Sequence, residues 1–274
     1  MHKTYIRWIL ALLITLSAAA YQRLTGPTYP VNDTININGQ TVSYELLRSH
    51  GGDGNQPVTL AFTDTSYKAY VVYKRYKTDE AWQKIPMQYN NNGFYAELPH
   101  QPPAGKLEYY ILVENGNNQI TIPAKTTVVT RFKGDVPAHI LVPHIVFMFL
   151  AFLFSNLTGL EAITRGPRLA RYAFITLGLL FIGGMILGPI VQKYAFDAYW
   201  TGIPFGYDLT DNKTLIAVLG WLLAVWAVWK RRDRTGTRWI VVFAAVLLLA
   251  VFSIPHSMMG SELDYNSMEI KTGK

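Results

Sequence analysis

The feature that most constrains this chain is a change of character near residue 136. From about residue 22 to 135 the sequence is polar and alternates as strands do; from about 137 to 256 it is a series of long apolar runs. Residues 140–160 make a run of about 21 and 173–191 one of about 19, enough for a helix to cross the ~30 Å hydrocarbon core of a bilayer. The runs 214–229 and 239–254 are each about 16 long, so flanking aromatic or polar turns must complete their crossing. The split predicts one soluble domain joined to one membrane domain.

The start of the chain adds a further apolar stretch. Lys3 and Arg7 precede about 14 uncharged residues, the pattern of a secretory signal. It is either a retained signal anchor, with Arg7 snorkelling to the surface, or a signal peptide cut near Ala18-Ala19-Ala20. Both send the next segment outside.

The formal charge of +7 is placed so as to exclude nucleic acid as a partner. Residues 21–135 are nearly neutral, and the excess gathers at Arg165, Arg168 and Arg171 and at Lys230, Arg231, Arg232, Arg234 and Arg238. Basic residues at the ends of apolar runs orient helices in a bilayer, with the basic loops on the cytoplasmic side. The partner so indicated is a lipid bilayer, and the simple targeting pattern fits a bacterial inner membrane. Loops 161–171 and 230–238 are then inside, and 192–213, 255–274 and the soluble domain are outside. The absence of cysteine removes disulfides, a thiolate nucleophile and cysteine-held clusters.

Short alternating stretches between residues 41 and 130, with Gly-, Asn- and Pro-rich turns between them, predict an antiparallel β-sandwich. The run "PPAGKLEYYILVENGNNQITIP" resembles the late strands of immunoglobulin-like and fibronectin type III domains, a likeness that implies the fold alone. In "SYKAYVVYKRYK", Tyr67, Lys68, Tyr73, Lys74, Arg75 and Tyr76 are either the two alternating faces of one strand or a basic, aromatic docking surface. The expected architecture is an α+β membrane protein. It has a signal anchor or signal peptide over 1–24, an external immunoglobulin-like β-sandwich over 25–135, a four-helix transmembrane bundle over 137–260 and an external tail over 261–274.

Three elements fall at the same outer face in this topology. The first is "VPHIVFM", which places His144 one helical turn from Met148. The second is "WTGIPFGYDLTDNKT", residues 200–214, where Trp200, Phe205 and Tyr207 accompany Asp208, Asp211 and Lys213. The third is "IPHSMMGSELDY", with His256 followed by Met258, Met259, Glu262 and Asp264. Singly these are interfacial residues; together they suggest a site, because ionisable groups at membrane depth are paired or functional.

The order of these elements resembles the core of cytochrome c assembly haem-handling proteins. It runs from a His at the outer start of a helix, through an aromatic loop and the "LIAVLGWLL" helix, to a basic inner loop and a last helix ending in "HS". The resemblance spans about residues 140–260. It implies that His144 and His256 are the haem-flanking histidines, that Trp200, Asp211 and Lys213 belong to the loop, and that Trp221 is the tryptophan of the following helix. This loop carries one tryptophan where the family has several, and "DLTDNKT" where Asp-Pro-Lys-Glu is expected.

Two functions follow. One is a non-enzymatic accessory or assembly protein whose sandwich binds a membrane or periplasmic protein. The other is a haem- or metal-handling protein. Its cofactor site would draw on His144, His256, Trp200, Asp208, Asp211 and Lys213, and its metal ligands on His144, His256, Met148, Glu262 and Asp264. Imidazoles suit haem b or copper, and methionines favour copper(I). No nucleophile, phosphate-loop or zinc-protease motif points to an enzyme.

Overall fold

The structure is a computed structural model and describes residues 2–90, 92–231, 234–255 and 260–271. It divides into a helical unit, containing residues up to Gly26 and Val136–Gly260, and a sheet unit, Pro27–Asp135 with Ser261–Lys271.

The helical unit holds α1 (His2–Thr25), α2 (Ala138–Ile163), α3 (Leu169–Leu180), a π-helical segment (Phe181–Leu187), α4 (Gly188–Phe196), α5 (Leu209–Arg231) and α6 (Thr235–Ser253). α3, the π-segment and α4 run on as one rod. Among the described residues, five helices, α1 and this rod included, are long and apolar enough to cross a membrane. Where the sequence suggests four helices behind a separate anchor, α1 packs into this unit. Its Ala11 and Thr15 are fully buried, and the Asn156 side-chain amide donates to Thr15 Oγ1 at 3.0 Å. Trp8 meets Phe154 and Tyr172 edge-on, and the Gln22 amide donates to the Phe252 carbonyl at 2.9 Å. Arg7 forms an ion pair with Glu161. Sequence cannot distinguish an isolated anchor from a packed helix, because lipid-facing and helix-facing positions are equally apolar. Small residues allow the close approaches: a Cβ on Gly159 would stand 2.9 Å from Ala245, and one on Gly220 2.9 Å from Leu247.

The sheet unit is built from β1 (Val31–Ile37), β2 (Gln40–Leu46), β3 (Ser49–Gly51), β4 (Gln56–Leu60), β5 (Lys68–Arg75), β6 (Gln83–Pro86), β7 (Gln88–Asn90), β8 (Gly93–Leu98), β9 (Lys106–Asn115), β10 (Asn118–Ile122) and β11 (Val128–Lys133). The largest sheet has the order β3-β11-β9-β5-β6, with β10 also on β9; β4-β8-β7 and β1-β2 form two smaller ones. All of these pairs are antiparallel except β3–β11, which is parallel. Period-2 alternation sends Ala69 and Val71 of β5 and Leu107, Tyr109, Ile111 and Val113 of β9 into one core. There they meet Leu46, Val58, Leu60, Phe94 and Leu98 from the smaller sheets.

Residues 261–271, an external tail by sequence, instead form a hairpin of β12 (Glu262–Asp264) and β13 (Glu269–Lys271) that belongs to the sheet unit. Leu263 is buried and its N–H donates to the Ala104 carbonyl at 3.2 Å. The Tyr265 hydroxyl accepts the Lys106 N–H at 2.9 Å and faces the Lys106 carbonyl at 2.9 Å. A Cβ on Gly105 would come within 3.0 Å of that hydroxyl, so the glycine admits the ring. Burial raises the Tyr265 phenol to about 12.

Candidate functional site

The aromatic loop is fixed by its own polar groups. Asp208 caps α5: its Oδ1 accepts the N–H groups of Thr210 at 2.8 Å and Asp211 at 3.4 Å, two of the donors a helix start leaves unmatched. Asp211 turns back to the loop, where its Oδ2 accepts the Thr201 N–H at 2.6 Å, the Thr201 hydroxyl at 3.2 Å and the Gln192 amide at 3.2 Å. Gln192, from α4, also donates to Thr201 Oγ1 at 2.7 Å. Asn212 Oδ1 accepts the Ile203 N–H at 2.8 Å, and the Trp200 indole donates to the Ile203 carbonyl at 3.1 Å. Asp208, Asp211 and Lys213 are all at most 6 % exposed. The loop lies so flat on the start of α5 that a Cβ on Gly202 would stand 2.7 Å from that of Asp211. The carboxylates thus stitch α4, the loop and α5 together.

Lys213, close enough to Asp208 to feel its charge, donates to the Ile254 carbonyl at 2.7 Å and closes the C-terminal end of α6. The rings, in contrast, face outward. Phe205 is 80 % and Tyr207 73 % exposed.

His144 and Met148 share one face of α2, packed against the π-helical segment. The π-turn bonds the Gly188 N–H to the Gly183 carbonyl, and His144 Nδ1 lies 3.0 Å from that same oxygen. A carbonyl only accepts, so Nδ1 carries the proton and Nε2 is left as the basic nitrogen. Missing Cβ atoms make the room. Methyl groups on Gly183 and Gly184 would stand 3.0 and 3.7 Å from Met148 Sδ, and one on Gly188 3.8 Å from His144 Cε1. Thr214 of α5 closes the other side of Gly184, 2.7 Å from the Cβ position. Gly184 and Gly188 have the Gly-x-x-x-Gly spacing that lets a neighbouring backbone approach closely; the π-turn formed here is a tertiary outcome.

His256, with Met258 and Met259, lies outside the described residues. Glu262 and Asp264 fold with the sheet unit and are engaged by lysines. Glu262 accepts from Lys106 at 2.6 Å and from Lys77 at 3.3 Å, and Asp264 pairs with Lys271. Burial works against the Glu262 carboxylate, but the hydrogen bonds from Lys106 and Lys77 outweigh it and hold it below the ordinary value. Lys106 moves down as well, because its own burial outweighs Glu262 and the cations Arg131 and Lys77 stand nearby. Trp221 is fully buried in the core of the helical unit. Among the described residues, no group of three or more His, Asp or Glu stands close enough to hold a metal ion.

A second surface lies on the sheet unit. The face of β5 and β9 opposite the core carries Tyr70, Val72, Lys74, Glu108 and Tyr110, and Trp82 and Lys84 stand alongside on the β6 side. Trp82 meets Tyr110 edge-on at 5.3 Å, Lys74 lies over Trp82 at 5.1 Å and Lys84 over Tyr70 at 5.0 Å. The alternation expected of this stretch is present. Its outward half is an aromatic band crossed by cations.

No family model, curated protein or solved structure matches the chain.

Proposed function

We propose that the chain is a multi-pass accessory or assembly protein of the bacterial inner membrane, whose sheet unit, an immunoglobulin-like sandwich, binds a membrane or periplasmic protein outside. The carrying observation is the Trp82–Tyr110–Tyr70 band, because aromatic rings are enriched where proteins meet; Lys74 and Lys84 lie over its rings as cation–π partners. The topology draws support from two independent features. Basic residues collect at the α2–α3 and α5–α6 turns, and four helical rods separate two pieces of chain, ending at Asp135 and starting at Ser261, that belong to one sheet unit. An even number of crossings returns a chain to the side it left. The retained-anchor reading of α1 is supported by its buried Asn156–Thr15 bond and the Arg7–Glu161 pair.

A photo-crosslinking residue at Trp82 or Tyr110, in cells making the full chain, should give a discrete adduct that Lys74→Glu with Lys84→Glu removes. Crosslinking confined to lipid, or unchanged by the double substitution, would refute partner binding on this face.

One observation favours a second reading, haem or metal handling. His144 donates one ring N–H to a main-chain carbonyl and so presents the other nitrogen, the arrangement that orients histidine ligands, with Met148 one turn away. Absorption spectra and metal analysis of the protein purified in mild detergent test it. A bound chromophore or metal that His144→Ala abolishes supports this reading, and spectra without either reject it.

A further inference from the structure

The two ends of the helical unit treat their cations differently. Phe152 of α2 stacks on Phe252 of α6 at 4.5 Å, and Gly159 faces Ala245, so the two helices run antiparallel. The α2–α3 turn and the α5–α6 turn consequently lie at one end. At the opposite end Lys193 is paired with Asp197 at 2.6 Å and Lys213 is held by a carbonyl.

At the turn end the carboxylate among the described residues is Glu161, which is 2 % exposed and already committed. It pairs with Arg7 and accepts the Arg168 N–H at 2.8 Å. Arg165, Arg171, Lys230, Arg231, Arg234 and Arg238 have no carboxylate within ion-pair distance among the described residues. Lys230 lies 4.7 Å over the Trp226 ring, and Arg238 Nη1 is buried with no hydrogen-bond partner among the described residues. Exposed indoles flank these cations: Trp226 is 51 %, Trp229 74 % and Trp239 65 % exposed.

We propose that this end is a docking surface for anionic phospholipid headgroups. Orienting a helix needs only an excess of positive charge near its end. Here the cations in addition outnumber the carboxylates, with none of those named paired to a carboxylate among the described residues, and they are accompanied by tryptophans that seat at headgroup level. A phosphodiester supplies the acceptor oxygens that the guanidinium groups lack, and the acyl chains lie along the apolar helix sides below. Clusters of Lys and Arg next to a spanning helix bind anionic lipid for this reason.

The test uses the full chain in nanodiscs of phosphatidylcholine containing a minor fraction of phosphatidylglycerol. The protein is then re-extracted in mild detergent, and the lipids still bound are counted by native mass spectrometry. Phosphatidylglycerol should be retained on the order of tenfold above its share of the bilayer. Lys230→Gln with Arg234→Gln and Arg238→Gln should remove most of that excess, whereas Lys193→Gln at the other end should leave it. If the triple variant fails to fold, Arg165→Gln with Arg171→Gln carries the same expectation. Retention in proportion to bulk composition by the unaltered protein, or an excess that survives in folded variants, would overturn the proposal.

Discussion

Asp208 and Asp211, three positions apart, are the residues whose chemistry sequence displayed and whose use it concealed. Two carboxylates near a membrane surface suggest a site, yet here one caps α5 and the other gathers Thr201 and Gln192. The sequence reads residues 200–214 as a loop, so neither the helix start at Leu209 nor the partners were legible, Gln192 reaching them from another helix. Asp208→Ala should lower the stability of the helical unit by about 1 kcal/mol, and Asp211→Ala by about 2 kcal/mol, since it strips several buried donors of their acceptor. Thermal unfolding in detergent measures both. At Glu262 the expected signal is a pH dependence. Its folded pKa is depressed, so its contribution is complete above the unfolded value of 4.5 and is lost as pH falls through the lower folded value. Hydrogen exchange should therefore find the β12–β13 hairpin protected at neutral pH and loosened in acid. Glu262→Gln should flatten this dependence while leaving the rest of the sheet unit unchanged.

Among the elements, the apolar helices and most strands between residues 41 and 130 were legible, and those that exist only through tertiary contacts were not. Apolar runs announced α2, α3 and α6. α5 begins at Leu209, well before its apolar run, because Asp208 stabilises a polar first turn. The strands of β9 and β5 followed from alternation. The hairpin did not, since three-residue polar strands owe their existence to docking against Ala104 and Lys106. The π-segment has no period of its own to recognise; it exists because His144, Met148 and Thr214 close around three glycines. α1 offers a direct measurement of how tightly it belongs to the bundle. Glu161→Gln should cost about 3 kcal/mol, because it leaves the half-buried Arg7 without its counter-charge. Arg7→Met combined with Glu161→Met should recover much of that loss, and a double-mutant cycle on unfolding in detergent separates the pair from its surroundings.

For the molecule as a whole, the division into polar and apolar halves was legible, and the return of the chain to its first half was not. Composition marks a boundary at residue 136, but nothing in the apolar region says that residues beyond it rejoin the sheet unit. The polypeptide 27–135 should fold in solution without disulfides, since a core of this size suffices. Linking residues 261–271 to it should raise its melting temperature, and Tyr265→Phe in the linked form should remove part of the gain. A scanning calorimeter reads all three proteins. Reporter fusions after Asp135 and after Lys271 should give the same external signal. The returning hairpin also fixes an order of events. Ribosomes deliver a chain from its N-terminus, and domains begin to fold as they emerge. The strands of the sheet unit are therefore made early, while the piece that clasps Lys106 and Gly105 arrives after the last helix has been synthesised. A complete sheet unit therefore requires that the helices between its two pieces have already been made, and a chain halted partway through them carries an unclasped edge that a protease can find.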